Sequence, residues 1–447
     1  MSMESEGSWT PGHPFGDDYP DPRSAEQLVS DQRTVRRQLT NLDLRGQDES
    51  VRRELLNQLK GRRVGRGDLV QLEEIPSHRG YDMLVARGEL LVRREHADNP
   101  NVQAFLEPYG FSPMIVDELD GRVVRFRNDD IMPQRLNDIG RFLRRRGVQA
   151  SLNHVAPLGP VGKALAGPEP SAGSRAFSAM PQTLDVAVID NGITDEQRTD
   201  SWLQDQDAPR TGDNVDPLND IAPPFLDFAA GHGTSVAGVI QQVDTGVGIR
   251  MYRALDGDGF SEEIGVAVAM VRAVRDGARV LNLSFGTQTL DDQIPIGMQA
   301  ALEIIEREHG DEVVVVAAAG NFGDTRPCYP AAFPQVVSVA GLTVDGLPST
   351  WSSRGFWVTC SAVAEGVLTP YVEGRESWLV DWQPDTFPAD SWALWSGTSF
   401  AAPQVVGAIA RICQEDGVPP REALRTLLRR GREVPDFGRA LEILPGT

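Results

Sequence analysis

From residue 184 onward, short runs of unbroken apolar residues alternate with stretches whose apolar positions recur every three or four residues. "LDVAVID" (184–190), "VGIRMYRAL" (247–255), "ARVLNLSFG" (278–286), "DEVVVVAAAG" (311–320) and "QVVSVAGL" (335–342) are the runs. Helical patterns begin near Gly233 and cover 261–276, 290–309 and the stretch after Ser399. Strands without polar alternation are buried on both faces, so the pattern predicts a parallel sheet with helices on each side. In such sheets functional side chains gather at strand ends and helix starts.

Upstream the pattern changes. "GELLVRRE" (88–95) reads as a strand and "NPNVQAFLEPYGF" (99–111) as a helix. "PMIVDELDGRVVRFR" (113–127) reads as two strands around Asp120-Gly121, 132–147 as a helix, and 148–158 as an extended segment. The order β-α-β-β-α-β is that of a ferredoxin-like α+β unit over 86–158. Ahead of it, 24–85 is a charged helical extension. Val35, Leu39, Leu42 and Val51, Leu55, Leu59 mark one or two amphipathic helices broken at Gly46. A partner-docking role for helices 24–62 stands beside the plainer one of a surface helix. Residues 1–23 are rich in Pro, Gly and acids and are expected to be disordered. Residues 159–181 read as a linker into a C-terminal domain that runs to 447.

Composition narrows the class. The net charge of −21 falls as −3 on 1–85, +1 on 86–158 and −19 on 159–447, which speaks against nucleic acid as a partner of the C-terminal part. No apolar run reaches the roughly 20 residues of a membrane span. The N-terminal stretch lacks the basic start and apolar core of a secretory signal, so a soluble, cytoplasmic protein without membrane contact is expected. Three widely spaced cysteines (Cys328, Cys360, Cys413) match neither a disulfide framework nor a zinc site.

Four residues carry candidate chemistry. Asp190 ends the first run in "VAVIDNGI", His232 opens a helix in "GHGTSVAGVI", Asn321 follows "VVVVAAAG", and Ser399 stands in "GTSFAAP". Each has an ordinary explanation as a turn former or helix cap. Together they place an acid, an imidazole, an amide and a hydroxyl on one α/β sheet, the inventory of nucleophilic acyl transfer. An α/β-hydrolase esterase orders its triad Ser, acid, His around a GxSxG elbow; the order here is Asp, His, Ser, which excludes it.

With these motifs the chain resembles the subtilisin-like serine proteases over 184–430. The resemblance implies a subtilisin-like three-layer α/β fold, and endopeptidase activity by an Asp190–His232–Ser399 triad with Asn321 in the oxyanion hole. The small neighbours of Ser399 would leave its hydroxyl exposed at a helix start. By the same resemblance Ser284, Phe285, Gly286, Ala318 and Gly320 line the cleft, and Cys328 floors the main specificity pocket. Residues 86–158 look like an inhibitory propeptide, the chain's own first partner, cut by the enzyme between Leu158 and Gly159. "HVAPL" (154–158) suits that cut, with Val155 for an apolar pocket of the cleft and Leu158 at the bond. Asn191 departs from the usual Ser or Thr after the aspartate. The segment 364–395 is long and gathers Trp378, Trp382, Trp392 and Trp395. No cofactor is required. Asp205, Asp207, Asp213, Asp216 and Asp220 are open to three readings: a solvated loop, a bias toward basic substrates, or a structural calcium site that cannot be assigned. A degenerate relative that only binds protein remains the alternative function.

Overall fold

The computed structural model describes residues 23–47, 49–76, 82–158, 167–180, 184–204, 214–221, 223–378 and 383–445. Most of the tail 1–23, the linker residues 159–166 and 181–183, Gly159, Asp205, Asp207, Asp213 and Trp382 lie outside them.

Helices α1 (Ala25–Gln47) and α2 (Glu49–Arg63) open the chain, and α1 runs through Gly46, where a break was expected. Strands β1 (Leu72–Pro76), β2 (Asp82–Arg93), β3 (Ser112–Ile115), β4 (Val123–Arg127) and β5 (Ala150–Pro157) follow, with helices Pro100–Leu106 and Pro133–Arg145 between them. The remaining strands begin with β6 (Glu169–Ser171), β7 (Asp185–Asp190), β8 (Gly248–Arg253) and β9 (Phe260–Glu262). Then come β10 (Val280–Leu283), β11 (Val314–Ala318), β12 (Val336–Leu342) and β13 (Cys360–Val363).

Strands β13-β12-β11-β10-β7-β8 form the parallel body of an eight-stranded sheet, extended past β13 by a hairpin of 438–440 and 432–434. Alternate residues of β7 serve opposite cores. Val186 and Val188 pack with helices His232–Val243 and Ala402–Asp416, whereas Ala187 and Ile189 pack with Glu263–Arg275 and Ile296–His309. That two-sided burial is why these strands read as unbroken apolar runs.

The N-terminal sheet runs β3-β4-β2-β5, with β1 added on β2 and β9 added on β5. Its helices cover one face through Val102, Leu106, Leu136, Ile139 and Leu143. Leu91, Val116, Leu119 and Val123 on the other side join the core of helices Glu263–Arg275 and Ile296–His309. So the two sheets share one apolar interface, and β9, from the C-terminal part, is a strand of the N-terminal sheet.

Three further expectations fail here. The extension 24–85 is not helical throughout, since β1 and the first residues of β2 pair within it and join the N-terminal sheet. Arg23, read as the end of a disordered tail, is buried and paired with Asp31 at 2.9 Å. The 159–181 stretch is not only linker. Its residues 169–171 form β6, which hydrogen-bonds to Trp392–Leu394, while Glu169 takes an ion pair from Arg37 of α1. Edge-strand backbone groups supply the partners that composition could not reveal.

Candidate active site

Strands β7, β10 and β11 are neighbours, and their C-terminal ends present Asp190, Ser284 and Asn321 along one edge. His232 is the first residue of its helix and lies over this edge. Its Nδ1 is 2.8 Å from Asp190 Oδ1, the atom that also accepts the Asn191 N–H at 2.8 Å. A carboxylate only accepts, so Nδ1 carries the hydrogen, and in the neutral ring that leaves the lone pair on Nε2. The helix can start here because of two glycines. Gly231 adopts φ +74° at the cap, and a Cβ on Gly233 would lie 2.2 Å from the Gly192 carbonyl oxygen.

Ser399 sits in a short 3₁₀ turn, Thr398–Phe400, just ahead of helix Ala402–Asp416. It is only 3% exposed, which corrects the expectation of an open hydroxyl on the helix itself. The hydroxyl donates to the Ser284 carbonyl at 2.8 Å, and the Ser284 hydroxyl donates to the Ser399 carbonyl at 2.8 Å. This reciprocal pair locks the turn onto the end of β10. Asn321 Oδ1 accepts from the Thr398 N–H (3.0 Å) and hydroxyl (2.9 Å). An atom that takes a backbone N–H must be the oxygen, so the other end of the amide is the NH₂ donor.

The segment after β10 and the turn before β9 form the walls of a groove. Gly286 N–H donates to the Pro157 carbonyl (3.3 Å), and Leu158 N–H donates to the Gly259 carbonyl (3.0 Å). β5 pairs antiparallel with β9, Pro157 opposite Phe260 and Val155 opposite Glu262. The chain thus lays its own extended segment between the two walls. The side chains of "HVAPL" fall on two faces. Ala156 faces the core with Ile264 and Phe285, and Leu158 packs against that same core and against Gly259. Val155 points the other way, to Leu55, Leu56 and Leu59 of α2 and to Phe260. Strand alternation forces this: Ala156 and Leu158 share a face that Val155 cannot.

Phe285 and Ala318 are buried in the two cores, so neither side chain is open to the groove. Cys328 is fully buried, with its Sγ beneath Gly286 and Gly320, 2.6 and 2.9 Å from where a Cβ would stand. Burial, with Asp324 nearby, holds its thiol far above the ordinary range, so it is a packing group and not a reactive thiolate.

Two residues near the site were missed in the sequence. Trp395, counted only as part of a Trp-rich stretch, stands edge-on to the His232 ring with centroids 5.3 Å apart, and Phe400 lies 5.5 Å away. Trp378 of that stretch is 69% exposed, and Trp392 packs on Trp202. Asp216, grouped with loop acids, is buried behind the aspartate. Its Oδ2 accepts from Gly231 N–H (2.7 Å) and Asn191 Nδ2 (3.2 Å). Asn191 Oδ1 in turn accepts from Gly233 N–H at 2.9 Å. Burial, with Asp190 and Asp227 adding, pushes Asp216 up to about 8. Asp220, by contrast, is at the surface and pairs with Arg66. Among the described residues no group of three or more His, Cys, Asp or Glu gathers as metal ligands, and no helix is long and apolar enough to cross a membrane.

A parallel α/β sheet presenting an Asp–His pair, a serine turn and an asparagine amide on its carboxyl edge defines the class of fold. The chain belongs to the subtilase family, whose sequence profile matches residues 182–433. It is 30% identical to thermitase of Thermoactinomyces vulgaris over 195 residues, 41% of this chain and 62% of that protein. It is 28% identical to subtilisin E of Bacillus subtilis (strain 168) over 240 residues, 51% of this chain and 54% of the relative. The chain therefore spans less than two-thirds of either. The crystal structure of fervidolysin from Fervidobacterium pennivorans shares the fold, with a TM-score of 0.55 at 19% identity over 83% of this chain and 63% of that one.

Proposed function

We propose that the protein is a serine endopeptidase whose N-terminal part inhibits it until self-cleavage. Ser399 is the nucleophile. Its proton passes to His232 Nε2 and then to the leaving amine, while Asp190 holds the tautomer and stabilises the imidazolium. The hydroxyl must first turn from the Ser284 carbonyl toward the imidazole. Asn321, with its oxygen engaged by Thr398, aims its NH₂ at the oxyanion, joined by the Ser399 backbone N–H. The observation that carries the reading is the segment 155–158 held by backbone bonds to β9, Gly259 and Gly286. A groove that adds a strand recognises peptide backbone and not a small ester. The same contacts make 86–158 a competitor for substrate. The cut is placed at or near Leu158–Gly159.

A fluorophosphonate probe is expected to label the wild type at Ser399 and to leave Ser399→Ala unlabelled. Labelling of neither would establish the protein-binding alternative. By intact mass, wild type is expected to break near Leu158–Gly159 while Ser399→Ala stays whole. A wild type that cleaves peptides yet remains whole would overturn self-processing.

A further inference from the structure

The turn that leads into β9 carries two carboxylates and β9 opens with a ring, all around one buried guanidinium. Arg63, the last residue of α2, has no solvent exposure. Its Nη2 is 2.7 Å from Asp256 Oδ2 and 3.7 Å from Asp258 Oδ2, and its guanidinium carbon lies 5.0 Å from the centre of the Phe260 ring. Arg62 approaches Asp258 from the side at 3.9 Å. Both Asp258 oxygens are buried without a hydrogen bond among the described residues. Asp256 has another task as well, since its Oδ1 accepts the N–H groups of Asp258 and Phe260, each at 3.1 Å, and shapes the turn. Nη1 donates to the Val70 carbonyl at 3.1 Å, so one nitrogen, Nη2, faces both acids. Two acids and an aromatic face around a planar cation make a guanidinium site, because a flat delocalised cation can lie on the ring while its several N–H groups reach different acceptors.

The site and its occupant come from different parts of the chain. Asp256, Asp258 and Phe260 lie inside the family match at 182–433, and Arg63 lies outside it. Under the proposed self-cleavage Arg63 leaves with residues up to 158. Two buried carboxylates would then lose their cation, a costly arrangement unless another takes its place. The register says where that cation would come from. Pro157 is opposite Phe260, and Val155, two residues away on the same face, is packed with Phe260 and α2. Directly opposed residues stand about 4.5–5.5 Å apart at Cβ. A side chain replacing Pro157 therefore starts beside Phe260, within reach of the place where the Arg63 guanidinium lies. Proline cannot use that site, and α2 supplies the cation instead.

We propose that Asp256, Asp258 and Phe260 form a subsite for an arginine side chain of the substrate, at the residue opposite Phe260, and that Arg63 fills it in the uncut chain. The proposal rests on the endopeptidase reading, so the test has two arms. In the first, full-length Ser399→Ala carrying Arg63→Ala is melted with ethylguanidinium or with ethylammonium. A rise in melting temperature specific to ethylguanidinium, absent without Arg63→Ala and lost on adding Asp258→Asn, is expected. No specific rise overturns the site. In the second, the self-processed enzyme is given quenched peptides with Arg, Lys, Ala or Glu at each of the four residues before the cut. At a single position kcat/KM is expected to be about tenfold higher for Arg than for Ala, with Lys between and Glu lowest. Asp258→Asn is expected to collapse that ratio toward one. An enzyme that cuts peptides with no Arg advantage, or whose advantage survives Asp258→Asn, overturns the subsite and leaves Arg63 a structural pin. Absence of both cleavage and fluorophosphonate labelling would instead bring down the endopeptidase reading, and the substrate subsite with it.

Discussion

Residues 185–445 and residues 25–157 each build a sheet covered by helices, but they are held in place differently. In the C-terminal part every central strand is buried on both faces, and the site is fixed by backbone amides and glycines. Asn191, Gly231 and Gly233 bind Asp190, Asp216 and Asn191 through N–H groups that cannot swing away. The N-terminal part adds an apolar face to this body, but its edges are fastened by long charged side chains. Asp120 meets Arg275 and Arg307, Glu303 meets Arg93 and Arg122, Arg37 meets Glu169, and Arg63 meets Asp256. The first kind of fastening gives a rigid site. The second, where the pairs lie at the surface as at Asp120, gives contacts that salt and substitution can loosen, beside the apolar interface and the β5–β9 pairing that they do not reach.

The comparison can be broken most severely at Ser399, the proposed nucleophile. Ser399→Ala is expected to lower kcat by on the order of 10⁶, a magnitude carried over from subtilisin itself, with the N-terminal contacts intact. Active-site titration beside a thermal melt would check both halves; a normal melt with full activity would remove Ser399 from the mechanism. Gly233→Ala attacks the backbone fastening. Its methyl group meets the Gly192 carbonyl oxygen, so destabilisation of about 1–3 kcal/mol or more is expected by denaturant titration, together with loss of probe labelling. Under the proposed mechanism Asn321→Ala removes one oxyanion donor and is expected to cost on the order of 10²–10³ in kcat with little change in KM, again the subtilisin magnitude.

Asp216 gives a pH signature confined to the rigid part. Its carboxyl is held neutral up to about 8 in the fold but ionises near 4 when unfolded. The folded state thus binds the extra proton between those values, and stability from this group falls as pH rises from about 4 to 8. Asp216→Asn is expected to flatten that decline, so unfolding midpoints of variant and wild type diverge across this window and run parallel above it. Parallel curves throughout would mean that Asp216 is ionised inside. The smallest effect belongs to the charged fastening. Asp120, held below its usual range by Arg307 and Arg275, ties the N-terminal hairpin turn to two catalytic-side helices. Asp120→Ala is expected to speed loss of the cut N-terminal part by a few-fold at most, less in high salt. A salt-independent change would assign the effect to the turn's backbone.

Much of the candidate site is legible in the sequence. Asp190, His232, Asn321 and Ser399 announce themselves because each needs particular neighbours within a few residues, such as the glycines around His232 and the small residues around Ser399. What escapes has partners far away along the chain. Asp216 reads as one of several loop acids because nothing beside it shows that it is buried against Gly192 and Gly231. Trp395 meets His232 across more than 160 positions, and Val155 faces α2.

The sequence by itself determined the parallel sheet, the order of the elements within 86–158 and the four chemical groups at strand ends and helix starts. Those follow from the period of apolar residues and from local steric demands, which are properties of adjacent positions. Only the tertiary structure decided which face of β5 enters the groove, which acid stands behind Asp190, and that Arg63 is buried between two carboxylates. Those depend on which distant surfaces meet and exclude water from each other, and a charged residue carries no mark in its own neighbourhood of the partner that will bury it.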